Sequence, residues 1–232
     1  MRRSLDLELM DLPGRSPEVL EGDLRNLRII NRCLGAYGAV LGGLDRLVRN
    51  HPLHRVSVLD VGTGSGDIAA SIARWARRRG MKAHITALDP DPVTIRVAAN
   101  HTRAFAEIAP VRADGGVPPF RADSFDFVLA SQLLHHFDEK SIVSVLKTWS
   151  GLARRAIIIS DLLRDPFAYH GIRVLTKLFT RNVMTLTDAP LSVHRSFTMT
   201  EWRDLIRRAE LGPAQVFPVF PFRVVALIPV SR

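Results

Sequence analysis

The segment that most limits what this chain can become is Val58-Leu59-Asp60-Val61-Gly62-Thr63-Gly64-Ser65-Gly66-Asp67. The apolar run from Val56 reads as a buried strand ending at Asp60 and Val61, and helical spacing begins after the glycines. Glycine lets the backbone turn tightly and lets a ligand approach it closely. Open α/β sheets bind ligands beyond the C-terminal ends of their strands, so a strand, glycine turn and helix in succession mark a ligand crevice. The spacing here is G-x-G-x-G. It is not the G-x-G-x-x-G of dinucleotide folds, and the lysine–serine pair of a phosphate loop is missing. Asp60 stands where a pyrophosphate would be repelled, so a cationic ligand group fits better.

From Val56 onward, short apolar runs alternate with helical segments. Strands are predicted at 56–61, 83–88, 109–113, 125–130 and 155–160, and helices at 66–79, 92–104 and 139–153. This alternation predicts a parallel sheet with helices on both faces, an α/β, Rossmann-like fold. The runs are apolar nearly throughout, as in Ala156-Ile157-Ile158-Ile159, which fits strands covered on both sides. The end of the chain, Ala214 to Val230, holds two apolar runs separated near Pro221 and reads as a C-terminal antiparallel hairpin. Thr198-Met199-Thr200-Glu201 is a capping box that opens a helix before it.

Residues 1–55 form a separate N-terminal region: an irregular arm over 1–15, a helix started by Ser16-Pro17, and a second helix after Gly35. Its helices either cover one end of the sheet or act as a partial lid on the domain spanning 56–232. Residues 162–197 are an insertion, with a helix at about 167–180 and then a loop containing Asp188-Ala189-Pro190.

Two further acids stand at successive strand ends. Asp89, followed by Pro90, can accept both hydroxyls of a ribose. Asp114, followed by Gly115, can accept a hydrogen bond from an adenine amino group. Aspartate is common at turns for local reasons, but three acids at three strand ends beside a glycine turn favour a nucleoside cofactor.

With these motifs the chain resembles the class I S-adenosylmethionine (SAM)-dependent methyltransferases, in particular the small-molecule branch that includes quinone-biosynthesis and polyketide or phenolic methyltransferases. The resemblance covers 56–160 and extends through the terminal hairpin. It implies a seven-stranded, mostly parallel sheet whose last strand is antiparallel. It implies SAM as cofactor, whose sulfonium and ammonium match the sign of Asp60. Asp60, Gly62, Thr63, Gly64 and Gly66 would line its methionine half, Asp89 and Pro90 its ribose, and Asp114 and Gly115 its adenine. Ser131, after Phe127-Val128-Leu129-Ala130, would lie near the sulfonium.

The acceptor is expected to be a small hydrophobic or aromatic metabolite, phenolic, quinone-like or polyketide, methylated on oxygen or an activated carbon. Such transfer needs alignment and often a base. His135 and His136 follow the fourth strand on the correct rim, with His136 preferred for its nearness to Asp138, and Asp161 is placed to orient a base or the substrate. Phe167, Val174, Leu175 and Leu178 would supply an apolar roof, near Tyr169, His170 and His194, and Arg195 an anchor for a carboxylate or phenolate. No metal is expected, because Asp161 and Asp165 alone do not assemble a ligand set.

The adenine-methylating signature Asn/Asp-Pro-Pro-Tyr/Phe is missing after the fourth strand. Ala130-Ser131-Gln132-Leu133 stands there, and Val117-Pro118-Pro119-Phe120 precedes the strand. Cys33, in the N-terminal helices, does not suit a cytosine-C5 mechanism and is expected to be a buried small hydrophobe. The formal net charge of +9 keeps RNA as the alternative acceptor and an anionic membrane surface as a partner. The arginines are scattered, the densest cluster being Arg74, Arg77, Arg78 and Arg79. The N-terminus lacks the apolar segment of a signal peptide, which makes the cytoplasm the default location.

Overall fold

In the computed structural model, residues 1–49 and 52–230 are described. The chain runs α1 (Pro17–Cys33), α2 (Ala36–Val48), β1 (Arg55–Val61), α3 (Asp67–Arg78), β2 (Lys82–Asp89), α4 (Pro92–Thr102), β3 (Ile108–Arg112) and β4 (Phe125–Ser131). It continues through α5 (Glu139–Leu152), β5 (Ala153–Leu162), α6 (Pro166–Phe179), α7 (Val183–Arg195), α8 (Met199–Ala209), β6 (Gln215–Val219) and β7 (Arg223–Pro229). The strands form one seven-stranded sheet in the order β3-β2-β1-β4-β5-β7-β6. All neighbours are parallel as far as β5, and β7 runs antiparallel to both β5 and β6.

The strand order reverses between β1 and β4, which lie side by side. Such a switch point opens a crevice at the C-terminal strand ends because the connections leave in opposite directions. Asp60 and Val61 pair in register with Leu129 and Ala130, and Ser131 with Ser160. Residues far apart in sequence thus reach one rim.

Both faces of the sheet are covered, which accounts for the apolar strands. In β5, Ile157 and Ile159 join the core beneath α5 and α8 with Trp149 and Trp202. Ile158, pointing the other way, joins Leu44, Ile72 and Trp75 beneath α2 and α3. The alanines of α3, Ala69, Ala70, Ala73 and Ala76, are fully buried and let the helix lie close on the sheet. Arg77 and Arg78 in its last turn complement the helix dipole.

Two features differ from the sequence expectations and a third adds to them. Where a loop was expected around Asp188-Ala189-Pro190, the chain forms α7, capped by Asn182 and carrying Pro190 inside it. Proline disfavours a helix interior because it removes one hydrogen bond; here burial of Met184, Ala189, Pro190 and Val193 offsets that loss. Cys33 is exposed, because the last turn of α1 directs Ile30 and Asn31 inward and Cys33 outward. The arm over 1–15 is irregular apart from a short turn at Leu9–Asp11, but it is pinned. The Leu9 and Met10 N–H groups donate to the Asp188 carboxylate at 2.8 and 2.9 Å, and the Ser4 N–H donates to the His194 carbonyl at 3.1 Å.

Candidate active site

The glycine turn leaves β1 with Gly62, Gly64 and Gly66 at φ of 67°, 55° and 72°. This is left-handed backbone, which side chains disfavour. The glycines differ in surroundings. A Cβ at Gly66 would meet Thr102 at 2.8 Å and one at Gly62 would meet Leu133 at 2.7 Å, whereas at Gly64 the nearest atom lies 3.9 Å away. Gly62 and Gly66 therefore permit close packing, and Gly64 presents bare backbone to a cavity. The Thr63 N–H donates to the Leu88 carbonyl at 2.9 Å and fixes the turn to β2.

Three acids gather around the turn. Asp60 is 1% exposed and accepts from the Thr63 hydroxyl at 2.6 Å. Asp89 accepts from the N–H groups of Gly64 at 3.3 Å and Asp91 at 3.1 Å. Asp67 accepts from the Ser65 hydroxyl at 3.0 Å and from the Asn31 amide at 3.1 Å. Burial, reinforced by Asp67 and Asp89, pushes the Asp60 carboxyl up to about 7. Burial likewise pushes Asp89 up to about 6. A cation placed beside such a cluster would favour its ionised form.

All three line one cavity of about 860 Å³. Pro90 and Ser131 also line it, and the Ser131 hydroxyl is buried without a partner. Of the expected cofactor residues, Gly66 packs against Thr102 and Ala98 and does not line the cavity, and two more lie elsewhere. Asp114 is exposed and turns back to accept from the Gly116 N–H at 2.8 Å. Gly115 sits under Val61 and accepts from the Trp149 indole at 2.8 Å. Neither lines the cavity.

The lining also includes His135 and His136, in a short turn after β4. The His135 Nδ1 donates to Asp161, at the end of β5, at 2.7 Å, with both residues buried. Burial alone would raise the Asp161 carboxyl, but the His135 ring outweighs it and the net shift is downward. His136 pairs through Nδ1 with Asp11 of the N-terminal arm at 2.8 Å. The partner is not the expected Asp138, whose carboxylate caps α5 by accepting from the Ser141 N–H. An imidazole that donates through Nδ1 keeps a lone pair on Nε2. Both Nε2 atoms approach Glu8, His135 at 3.7 Å and His136 at 3.9 Å. Glu8 is 1% exposed, and its burial raises the carboxyl to about 7. His135, His136, Glu8 and Asp11 line the cavity, and Asp161 stands behind His135.

The sequence reading missed Glu8, Asp11, Asn31 and Gln132. Gln132 donates to Asn31 at 2.5 Å and so links α1 to the rim of β4. Arg195, read as a substrate anchor, is buried and engaged with the carbonyls of Asp6, His135 and His136. Asp165 caps α6. The roof consists of α1, α6 and α7, with Leu27, Ile30, Ile172 and Val193 in one cluster. Phe167 and Leu175 border the cavity, but Val174 and Leu178 are 60% and 80% exposed. The Tyr169 ring contacts those of His170 and His194, and none of the three lines the cavity.

Residues 58–155 match the family described as "Methyltransferase domain". A curated relative, the ubiquinone/menaquinone biosynthesis C-methyltransferase UbiE of Rickettsia bellii (strain OSU 85-389), is 25% identical over 144 residues; the match covers 58% of this chain and 58% of the relative. The chain thus spans less than two thirds of that relative's length. Among solved structures, human N-acetylserotonin methyltransferase in complex with SAM superposes with a TM-score of 0.68 at 19% identity, covering 100% of this chain and 63% of that one. A SAM-dependent methyltransferase from Aquifex aeolicus superposes with a TM-score of 0.65 at 14% identity, covering 91% and 98%. The fold is shared with these solved SAM-dependent methyltransferases, residues 58–155 match the methyltransferase-domain family, and the human structure holds SAM.

A cationic group on Asp60 requires the ionised carboxylate, so with its pKa near 7 SAM binding is expected to release a proton below neutrality. Affinity should fall by about tenfold per pH unit beneath that value and level off above it. Calorimetry in buffers of different ionisation enthalpy reads both effects, and an affinity that is flat with pH would exclude Asp60 as the cation's partner.

Proposed function

We propose that this protein transfers the methyl group of SAM to an oxygen or an activated carbon of a small hydrophobic or aromatic metabolite, phenolic, quinone-like or polyketide. The observation that carries this reading is the single cavity. It runs from the carboxylates at the glycine turn to the paired imidazoles under an apolar roof. Its volume of about 860 Å³ is at the upper end of the roughly 300–1,000 Å³ of small-molecule sites, leaving room for a second ligand beside a nucleoside. The quinone-biosynthesis name of the curated relative supports the acceptor class.

SAM supplies an electrophilic methyl group on a sulfonium. The chain's own residues do the rest. Asp60 holds the cationic methionine end, Asp89 the ribose, and the Gly64 backbone allows close approach. The C–S bond breaks as the new O–C or C–C bond forms, S-adenosylhomocysteine leaves, and the acceptor gives up its proton. The His135–His136 pair faces the acceptor, with Asp161 and Asp11 fixing the rings. Asp161 is a positioning residue, since it does not reach the cavity.

RNA is the second reading, favoured by the net charge of +9. The densest arginine cluster already has partners. Arg77 pairs with Glu107 at 2.5 Å, Arg79 with Asp45 at 2.6 Å, and Arg74 lies over the Phe105 ring. No helix among the described residues is long and apolar enough to cross a membrane, which leaves peripheral contact as the way a lipid-borne acceptor would be reached. Labelled-methyl transfer, run side by side against total RNA and an organic extract, separates the readings. Label is expected in the organic-soluble product, and label in RNA alone would overturn the proposal.

A further inference from the structure

We propose that Glu8, His135 and His136 bind a single divalent transition-metal ion whose open positions face the cavity. Three independent features converge on this. One ligand atom from each residue lies within 4.8 Å of the others. Each imidazole donates its Nδ1 proton to a carboxylate, His135 to Asp161 at 2.7 Å and His136 to Asp11 at 2.8 Å. This leaves the Nε2 atom of each ring without a proton and within 3.9 Å of Glu8, and second-shell carboxylates hold metal-ligating histidines in the same way. Finally, the Glu8 Oε1 is buried with no hydrogen-bond partner, although the His135 Nε2 and the Arg195 guanidinium each lie 3.7 Å from it.

Those separations decide between direct pairing and a shared ion. At 3.7 and 3.9 Å the imidazoles are too far from Glu8 to hydrogen-bond to it. Ligands placed at about 2.0–2.2 Å from a common ion stand about 3.3 Å apart in tetrahedral geometry. A contraction of a few tenths of an ångström would bring each imidazole–Glu8 pair onto such an ion. Charge points the same way. Glu8, Asp11, Asp161 and Asp188 surround the pair. The nearby guanidinium groups of Arg195 and Arg3 are turned to the carbonyls of the histidine segment, although Arg195 also lies 3.7 Å from Glu8.

Two imidazoles and one carboxylate suit zinc, iron(II) or manganese(II), and three protein ligands leave positions for an exogenous oxygen. The role of the ion rests on the methyl-transfer reading. There the acceptor's oxygen, or the oxygen conjugated to its reacting carbon, would coordinate the ion and ionise more readily. The proton released goes to solvent, and neither the ion nor the imidazoles change oxidation state. This revises the sequence expectation of no metal, because Glu8 and Asp11 arrive from the arm.

The test uses the full chain, stripped with a chelator and dialysed, and needs no acceptor. Calorimetry with zinc is expected to show one ion per chain, and cobalt(II) to give the visible ligand-field absorption of a four- or five-coordinate site. Glu8→Gln and His136→Gln should each weaken zinc by at least about 100-fold, and the second-shell variant Asp11→Asn, at a side chain about a third exposed, by about 10–100-fold. SAM binding, measured on the same samples, reports folding and the separate cofactor site. Absence of stoichiometric binding, or binding that survives Glu8→Gln and His136→Gln, would overturn the metal site. If SAM still binds in that case, the methyl-transfer reading stands and the imidazoles act on the acceptor directly. Loss of SAM binding with zinc binding intact would instead sink the methyl-transfer reading and leave the metal site.

Discussion

Exchanging His136 or His135 for glutamine is expected to lower methyl transfer by about 10²–10⁴-fold, the range for losing a group that handles the acceptor's proton or charge. SAM affinity should change little in either variant, because the imidazoles pair with Asp161 and Asp11 and with none of the acids at the glycine turn. His136→Gln is the cleaner experiment. Its ring is 17% exposed and its partner Asp11 is 34% exposed, so the carboxylate left behind can be hydrated. His135→Gln leaves the buried Asp161 with only the N–H groups of Leu162 at 2.7 Å and of residue 135 at 3.3 Å. A thermal melt must therefore accompany it, since an orphaned buried charge is strongly destabilising. A fall in turnover with SAM binding and melting intact assigns the pair to the acceptor. Near-normal turnover in both variants would leave catalysis to proximity alone.

Replacing Asp60 with asparagine is expected to weaken SAM by about 10–100-fold, since a hydrogen bond to a charged group contributes roughly 1.5–3 kcal/mol. The substitution is nearly isosteric, and its amide oxygen can still accept from the Thr63 hydroxyl, so the turn should keep its shape. The cofactor-free protein should respond in the opposite sense. The folded-state pKa of Asp60 is raised to about 7 from an ordinary 3.8. Stability is then lost as pH rises between those values, because the folded state holds the proton more tightly than the unfolded chain. Asp60→Asn removes that loss and should melt above the parent at pH 8. It should also abolish the pH dependence of SAM binding. An unchanged affinity would remove Asp60 from the cofactor site.

Features built from contiguous residues were readable in the sequence. The glycine turn declares its backbone, and the capping box at Thr198–Glu201 forms with both bonds in place. The strands were legible because burial on both faces leaves no polar alternation to blur them. What was not legible comes from pairs distant along the chain. His136 meets Asp11 across 125 residues, and Gln132 meets Asn31 across 101. The arm even misdirects a reader, since Leu5 and Leu7 are 77% and 60% exposed while Glu8 between its leucines is buried. An alternation of apolar and acidic residues suggests the reverse; Glu8 turns inward to accept from the Ser192 hydroxyl and lie beside Arg195, while the neighbouring Leu9 N–H is held by Asp188. Asp138 was favoured as the partner of His136 for its closeness in sequence, but a helix cap uses its oxygens. Pro190 hid α7 for a similar reason, because a local preference was outweighed by burial that no local pattern records.

The most direct test of the central claim is calorimetric titration of the cofactor-free full chain with SAM and with S-adenosylhomocysteine. One site per chain is expected for each ligand. SAM binding should strengthen as pH rises toward about 7, and both ligands should be weakened by Asp89→Ala, which removes the acid placed for the ribose. Failure of either ligand to bind folded, cofactor-free protein would contradict the account at its root.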